Sequence, residues 1–102
     1  MPPQAVWLDC DPGHDDAMAL LLALFARGAD GQRALELLGL STVHGNATGR
    51  QTFVNAARLL AAFGIPPEHV ALWRGGAAPL VRPAQVDVGI HGHDGLGGVE
   101  GL

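Results

Sequence analysis

The stretch AVWLDCDPGHDDAMALLLAL, residues 5–24, decides the fold of this chain. It opens with a short apolar run at residues 5–8, which is typical of a buried strand. A Pro12-Gly13 turn follows, and apolar residues then recur at helical spacing from residue 17 up to an end at Arg27-Gly28. The stretch therefore predicts a strand, a tight turn and a well-buried helix in immediate succession.

Four aspartates surround this turn, with no Lys or Arg beside them. They are Asp9, Asp11, Asp15 and Asp16. Two carboxylates about 4 Å apart repel by about 4 kcal/mol at an effective dielectric constant of about 20. Helix capping and the helix dipole account for Asp15 and Asp16 in the first helical turn, but not for Asp9 and Asp11. A divalent cation with oxygen ligands, Ca²⁺ or Mg²⁺, would offset the repulsion, so a metal site and simple capping both stay open.

Two more strands and one more helix follow along the chain. Residues 35–43 and 69–73 are predicted strands, and residues 48–63 a predicted helix. The inward-facing residues of that helix are expected to be Phe53, Ala56, Ala57, Leu60 and Ala61. A β-α-β-α-β order implies an α/β fold with a Rossmann-like open, mainly parallel sheet. Ligands of such sheets bind beyond the carboxyl ends of the strands, which places the aspartates and Gly45-Asn46 at one edge.

The remaining features concern single residues and the last quarter of the chain. Trp7 and Trp73 lie on predicted strands and are expected in the core. Residues 75–102 are rich in Gly and Pro and are expected to be mostly irregular. Because no closing element is evident, residues 1–102 are interpreted as the N-terminal part of a single domain.

Composition limits the possible functions. The chain has 102 residues, of which 48% are hydrophobic, so it suits one small globular domain. A net charge of -4 and the lack of a basic cluster argue against nucleic-acid binding. Cys10 is the single cysteine, which excludes an internal disulfide, and its acidic neighbours should raise its pKa. Without a signal-peptide pattern or a membrane-length apolar run, we expect a cytoplasmic protein.

The sequence DCDPGHDDAMAL, residues 9–20, resembles the opening signature of the inosine-uridine-preferring nucleoside hydrolase family, D-x-D-P-G-x-D-D followed by a small and apolar helix. The resemblance continues in VHGNATGRQTFVNA, residues 43–56, where the family has a V-x-G-N turn and a T-x-x-N-A helix start. It extends through GGAAPLVRP, residues 75–83, and GIHGHDGLGG, residues 89–98. These stretches lie in order between residues 9 and 98, so the resemblance spans nearly the whole chain, and it implies that residues 75–102 form an active-site loop segment.

The resemblance implies a calcium site and a catalytic base. In the family, the aspartates that match Asp11 and Asp16 hold Ca²⁺, and the one that matches Asp11 also acts as the base for the nucleophilic water. Asp9 and Asn55 match residues that lie close to the metal ligands and support them without binding the metal. The implied cofactor is therefore Ca²⁺.

The resemblance also implies the substrate and the reaction. Asp15 and Asn46 match residues that bind the ribose, and His91 matches a histidine near the nucleobase. The implied activity is hydrolysis of the N-glycosidic bond of purine or pyrimidine ribonucleosides to ribose and free base, in nucleoside catabolism or purine salvage. Family members form homodimers or homotetramers.

The chain departs from the family in length, and this leaves alternatives open. The remaining metal ligands and the leaving-group acid of the family lie further along the chain than residue 102. We therefore expect an incomplete fragment that is inactive by itself, or else a remnant that binds metal or nucleoside without catalysis. A D-x-D phosphotransfer enzyme of the haloacid dehalogenase type is disfavoured, because Pro12-Gly13 replace the expected Thr or Val and Asp15 and Asp16 would be unexplained.

Overall fold

The computed structural model of the protein describes residues 2–76, 78, 80–81 and 95–96. Within this part of the chain, strands and helices alternate along the sequence. They are β1 (Gln4–Cys10), α1 (His14–Phe25), β2 (Leu35–Thr42), α2 (Gly49–Ala62) and β3 (Ala71–Arg74). The strands form one parallel sheet in the order β1-β2-β3. The α/β fold with a parallel sheet is therefore confirmed.

The hydrophobic core lies on one side of this sheet. Along β1, Val6 and Leu8 pack against the core and Cys10 is buried, while the alternate residues Trp7 and Asp9 are exposed. This alternation follows from the two-residue period of a strand. The buried core residues are Cys10, Leu20, Ala23, Leu24, Leu37, Leu40, Ala56, Leu59, Leu60 and Val70. Since α1 and α2 both contribute to this single cluster, both helices cover the same sheet face.

Helix α1 is less buried than its sequence predicted. Leu20 and Leu24 are buried against the sheet, but Leu22 is 62% exposed and Leu21 and Phe25 are exposed as well. The helix is apolar around most of its circumference, whereas one sheet face covers only one stripe of it. It also ends at Phe25, before the predicted stop at Arg27-Gly28.

Helix α2 buries a different stripe from the one predicted. Ala57 and Ala61 are exposed, and Phe53 is only half-buried. The buried residues of the helix are Gly49, Thr52, Asn55, Ala56, Leu59 and Leu60. From Thr52 onward they follow the i, i+3, i+4, i+7, i+8 pattern of one helix face. The prediction is confirmed for Ala56 and Leu60 and wrong for Ala57 and Ala61, because it assigned the inner face to apolar residues alone and left out Thr52 and Asn55.

The two tryptophans are not in the core, contrary to expectation. Trp7 is 51% exposed and Trp73 is 63% exposed, and both occupy outward positions of the pleat. The Trp7 ring lies directly over Gly39, where any side chain would overlap it. Its indole Nε1 donates a hydrogen bond to Ser41 Oγ at 3.1 Å. The expected core position of both tryptophans is therefore wrong: Trp7 packs on the outer sheet face, and Trp73 is exposed on that face.

Two predictions concern parts of the chain beyond the sheet. In the part that the structure describes, no helix has the length and apolar character needed to cross a membrane. The predicted loop segment at residues 75–102 lies mostly outside the described residues, as does the predicted substrate residue His91.

Candidate active site

The carboxyl ends of β1 and β2 lie level with each other. Cys10 and Thr42, the last residues of the two strands, are register partners. Beyond them, the Val43 amide donates to the Cys10 carbonyl at 3.0 Å, so the two chains stay together as the turns begin. As predicted, the turn after β1 and the turn after β2 meet at one edge of the sheet.

The second turn holds Asp11 by two hydrogen bonds from one residue. The Asn46 amide donates to Asp11 Oδ2 at 2.9 Å, and Asn46 Nδ2 donates to the Asp11 carbonyl at 2.7 Å. Gly45 makes this approach possible, since a Cβ at its position would overlap the Asp11 carboxylate. Its φ of 155° is also one that residues with a side chain rarely adopt. The structure thus brings Asp11 and Asn46 into direct contact and orients the carboxylate.

Asp16 lies beside Asp11, in the first turn of α1. The Asp11 amide donates to Asp16 Oδ2 at 3.0 Å. Burial, a hydrogen bond between the two carboxyl groups and the charges of Asp11 and Asp15 raise the pKa of Asp16 to about 6. Two carboxyl groups in hydrogen-bond contact therefore share this partly buried corner, and one of them holds its proton more tightly than a free aspartate does.

This donor set fits part of a calcium site. Ca²⁺ takes 6–8 oxygen ligands at roughly 2.3–2.6 Å, and carboxylates are prominent among them. Asp11 and Asp16 provide two carboxyl groups that are in contact with each other. Among the described residues, no group of three or more His, Cys, Asp or Glu side chains converges. Among the described residues, Asp11 and Asp16 could therefore supply two of the ligands of a Ca²⁺ ion.

The other predicted acidic residues lie around this pair. Asp15 is exposed in the first turn of α1, which leaves its carboxylate open to a ligand. Asp9 is exposed on the outer sheet face, where Ser41 Oγ donates to its Oδ1 at 2.6 Å. Ser41 Oγ in turn accepts a hydrogen bond from Trp7 Nε1, so the described contacts of Asp9 lie on the outer sheet face. The supporting function of Asp9 near the metal remains a prediction.

Asn55 lies directly against the turn that carries Asp11. It is 0% exposed, and its Nδ2 donates to the Pro12 carbonyl at 3.0 Å. Gln51 Nε2 donates to its Oδ1 at 2.9 Å. Gly95 approaches from the other side, where a Cβ would lie 2.9 Å from Asn55 Nδ2. The sequence predicts that Asn55 supports the metal ligands without binding the metal. In the structure its side chain extends from α2 to the turn after β1 and lies next to Gly95.

Two residues that hydrogen-bond to the candidate site or its neighbours, Thr52 and Ser41, were not named as candidates from the sequence. Thr52, 0% exposed, lies three residues before Asn55 and contacts the second turn through its hydroxyl. Ser41 connects Trp7 to Asp9 on the outer face. The signal for Thr52 was its spacing, since it precedes Asn55 by three residues and Ala56 by four, which puts all three on one helix face.

The thiol of Cys10 has no chemical function in this arrangement. Burial, followed by the charges of Asp16, Asp11 and Asp9, raises its pKa to about 12. A thiol of that pKa stays protonated at neutral pH and is a poor nucleophile. The predicted direction of the shift is confirmed, and burial is its largest cause.

The fold and this acidic corner define an α/β protein with a ligand site at the carboxyl edge of a parallel sheet. Within that class, the family model of the inosine-uridine preferring nucleoside hydrolases matches residues 6–102. The chain therefore belongs to the nucleoside hydrolase family. The haloacid dehalogenase alternative is set aside by this membership.

Individual relatives agree with the family match. The chain is 43% identical over 93 residues to a uridine nucleosidase of Saccharomyces cerevisiae, covering 91% of this chain and 25% of that protein. It is 42% identical over 92 residues to a pyrimidine-specific ribonucleoside hydrolase of Shewanella woodyi, covering 89% and 27% respectively. A solved inosine-guanosine nucleoside hydrolase is similar with a TM-score of 0.63 at 30% identity, covering 80% of this chain and 22% of that one. The chain thus spans about a quarter of the length of these relatives.

Proposed function

We propose that the intact protein hydrolyses the N-glycosidic bond of ribonucleosides, yielding ribose and a free base, with Ca²⁺ as cofactor. The observation that carries the proposal is the Asp11 carboxylate, held by Asn46 and in contact with Asp16 at the carboxyl edge of the sheet. Family membership and the names of the relatives support the reaction class. Their names include both pyrimidine and purine nucleosides, so the proposal covers ribonucleosides in general.

In this proposal Asp11 is the catalytic base. When bound, Ca²⁺ would lower the pKa of a water molecule and orient it. Asp11 accepts a proton from the attacking water, whose oxygen bonds to C1′ of the ribose. The bond between C1′ and the base nitrogen breaks, and its electrons leave with the base. The departing nitrogen takes up one proton from solvent and Asp11 returns its proton to solvent, so that one water molecule is consumed. The Asn46 amide keeps the Asp11 carboxylate at a fixed angle throughout, because it donates to Oδ2 at 2.9 Å.

Asp15 and Asn46 bind the sugar in this proposal. The exposed carboxylate of Asp15 accepts hydrogen bonds from ribose hydroxyls, which fixes the sugar beside the base. The transition state resembles an oxocarbenium ion, so the negative charges of this corner stabilise it. We expect ribosides to be preferred over deoxyribosides, because a missing hydroxyl leaves the Asp15 carboxylate without its partner.

Turnover of uridine and inosine by the intact protein tests the proposal. We expect EDTA to abolish base release and added Ca²⁺ to restore it. Asp11→Ala should lower kcat by about 10²–10⁴-fold, the range that a general base contributes. Asp30→Ala is the matched control, since Asp30 is an exposed aspartate in the loop at the opposite end of the sheet. Normal turnover by Asp11→Ala would contradict the assignment of Asp11 as the catalytic base. Normal turnover in EDTA would contradict the requirement for Ca²⁺.

We also propose that residues 1–102 alone are inactive. Asp11 and Asp16 are two ligands of a shell that needs more, and the chain spans about a quarter of its relatives. The purified 102-residue chain should release no base from either nucleoside. Measurable release would overturn the proposal, whereas Ca²⁺ or ribose binding without release would favour a non-catalytic binding protein.

A further inference from the structure

Helix α2 buries two polar side chains, and each contacts a different turn of the candidate active site. Thr52 Oγ1 donates to the Val43 carbonyl at 2.7 Å, at the start of the turn after β2. Asn55 Nδ2 donates to the Pro12 carbonyl at 3.0 Å, in the turn after β1. Both residues are 0% exposed and lie one helical turn apart. One rigid helix face therefore contacts both turns.

The two turns are also connected to each other. Asn46 donates to Asp11 through its backbone amide and through its side chain. Val43, which Thr52 holds, lies only three residues before Asn46. The Gly45 amide also donates to the Ala47 carbonyl at 2.9 Å, so the two neighbours of Asn46 in the chain are hydrogen-bonded to each other. The Val43 carbonyl and the Asn46 amide therefore belong to the same short turn, which Thr52 contacts at one end and Asp11 at the other.

We propose that Thr52 is a positioning residue for the Asp11 carboxylate, acting through Val43 and Asn46. The inference rests on the proposed function, because positioning matters only if Asp11 holds Ca²⁺ and acts as the base. Without the Thr52 hydroxyl, the Val43 carbonyl loses a buried hydrogen bond and the turn is free to relax. Groups that orient a metal ligand typically account for 10–100-fold in metal affinity or activity.

The chain offers a matched control for this test. Thr42 is 1% exposed, and its Oγ1 has no hydrogen-bond partner among the described residues. Thr42→Val and Thr52→Val make the same isosteric change at two buried sites. Only Thr52→Val removes hydrogen bonds, to the Val43 carbonyl in the turn and to the Gly49 carbonyl in the first turn of α2. Thr52→Ser keeps the hydroxyl and serves as the rescue variant.

Calcium affinity and amide exchange of the intact protein provide the test. After treatment with EDTA, titration calorimetry should show Ca²⁺ binding about 10-fold or more weaker in Thr52→Val, and near the wild-type affinity in Thr52→Ser and Thr42→Val. Hydrogen exchange of the Asn46 amide should be faster in Thr52→Val alone. If Thr52→Val unfolds, Thr52→Cys, with its weak S–H donor, takes its place under the same expectations.

The outcomes separate this inference from the proposed function. Wild-type affinity and Asn46 exchange in Thr52→Val would overturn the positioning role while leaving the calcium site intact. Equal losses in Thr52→Val and Thr42→Val would also overturn it, because the effect would belong to core packing in general. A wild-type protein that neither binds Ca²⁺ nor releases base would overturn the proposed function, and the positioning role with it.

Discussion

Asp16 is the residue whose environment says most about the site. Its carboxyl group is partly buried, contacts the Asp11 carboxyl and receives the Asp11 amide hydrogen bond. Burial and the neighbouring charges disfavour its ionised form, whereas the amide bond favours it, and the net effect raises its pKa to about 6. Without a cation, an ionised Asp16 therefore costs the folded protein stability.

This leads to a prediction for the metal-free protein in EDTA. The folded-state pKa of Asp16, about 6, exceeds its ordinary value of 3.8, so folding binds a proton between these pH values. Stability should fall as pH rises from about 4 to about 6 and stay lower above that. Asp16→Asn should remove this decline and stabilise the metal-free protein at pH 8 by on the order of 1 kcal/mol, allowing for solvent screening.

Urea unfolding of both proteins at pH 4.5 and pH 8 measures the effect, with about 10 mM Ca²⁺ as a second condition chosen to approach saturation. With Ca²⁺ at pH 8, the wild type should become the more stable of the two proteins. Ca²⁺ binding stabilises the wild type, whereas the Asp16→Asn variant lacks one of the proposed ligands. An Asp16→Asn protein with the same pH dependence as the wild type would contradict the account of this corner.

At the residue scale, the sequence predicted the acidic corner but not what holds it. The D-x-D-P-G-x-D-D pattern located Asp11 and Asp16, since four carboxylates around one turn are conspicuous in a sequence. The contact between Asn46 and Asp11 depends on a residue 35 positions away along the chain, and only the sheet register brings it near. Thr52 was not singled out, although it is the threonine of the T-x-x-N-A pattern and lies three residues before Asn55 on the same helix face.

At the element scale, helix α2 begins at a side-chain cap that helix α1 lacks. Thr48 is the N-cap of α2, and its side chain accepts a hydrogen bond from the Gln51 amide at 3.2 Å. Gly13 caps α1 without any side-chain bond, and acidic residues in the first turn of α1 face the helix N-terminus instead. Capping of α2 matters for the site, since α2 carries Thr52 and Asn55.

We predict that Thr48→Ala destabilises the intact protein by about 1 kcal/mol, the usual cost of losing an N-cap. Thr48→Ser should retain most of the stability, because its hydroxyl can accept the same bond. Denaturant midpoints of the three proteins measure the difference. A loss in Thr48→Ser as large as in Thr48→Ala would contradict a capping function and point to the threonine methyl group instead.

The elements themselves were predictable, and their burial was not. Apolar periodicity and the turn residues gave the order and approximate bounds of all five described elements. Which face of each element is covered depends on what packs there, and that information is not local. The exposed Leu22 on α1 and the outward Trp7 and Trp73 on the strands both follow from helices lying on only one side of the sheet.

At the scale of the whole molecule, the described part leaves one sheet face and one helix surface apolar and exposed. On the sheet these residues are Trp7, Leu38 and Trp73, and on α1 they include Met18, Leu22 and Phe25. The outer strands of the three-stranded sheet, β1 and β3, each pair on one side only within the described residues. Large exposed apolar patches and unpaired strand edges favour association.

We therefore predict that the 102-residue chain, expressed alone, self-associates through its outer sheet face. Replacing Leu38 and Trp73 together by Gln should reduce the associated fraction, because both are large, exposed hydrophobic residues on neighbouring strands. The double replacement of Glu36 and Arg74 by Gln is the control, since these residues are exposed on the same two strands but are already polar. Size-exclusion chromatography with light scattering, and binding of the dye ANS, measure the result.

If the wild-type chain runs as a monomer without binding ANS, the exposed face does not drive association. If both double variants reduce association equally, the effect does not depend on the loss of apolar side chains, and the outer sheet face is not responsible.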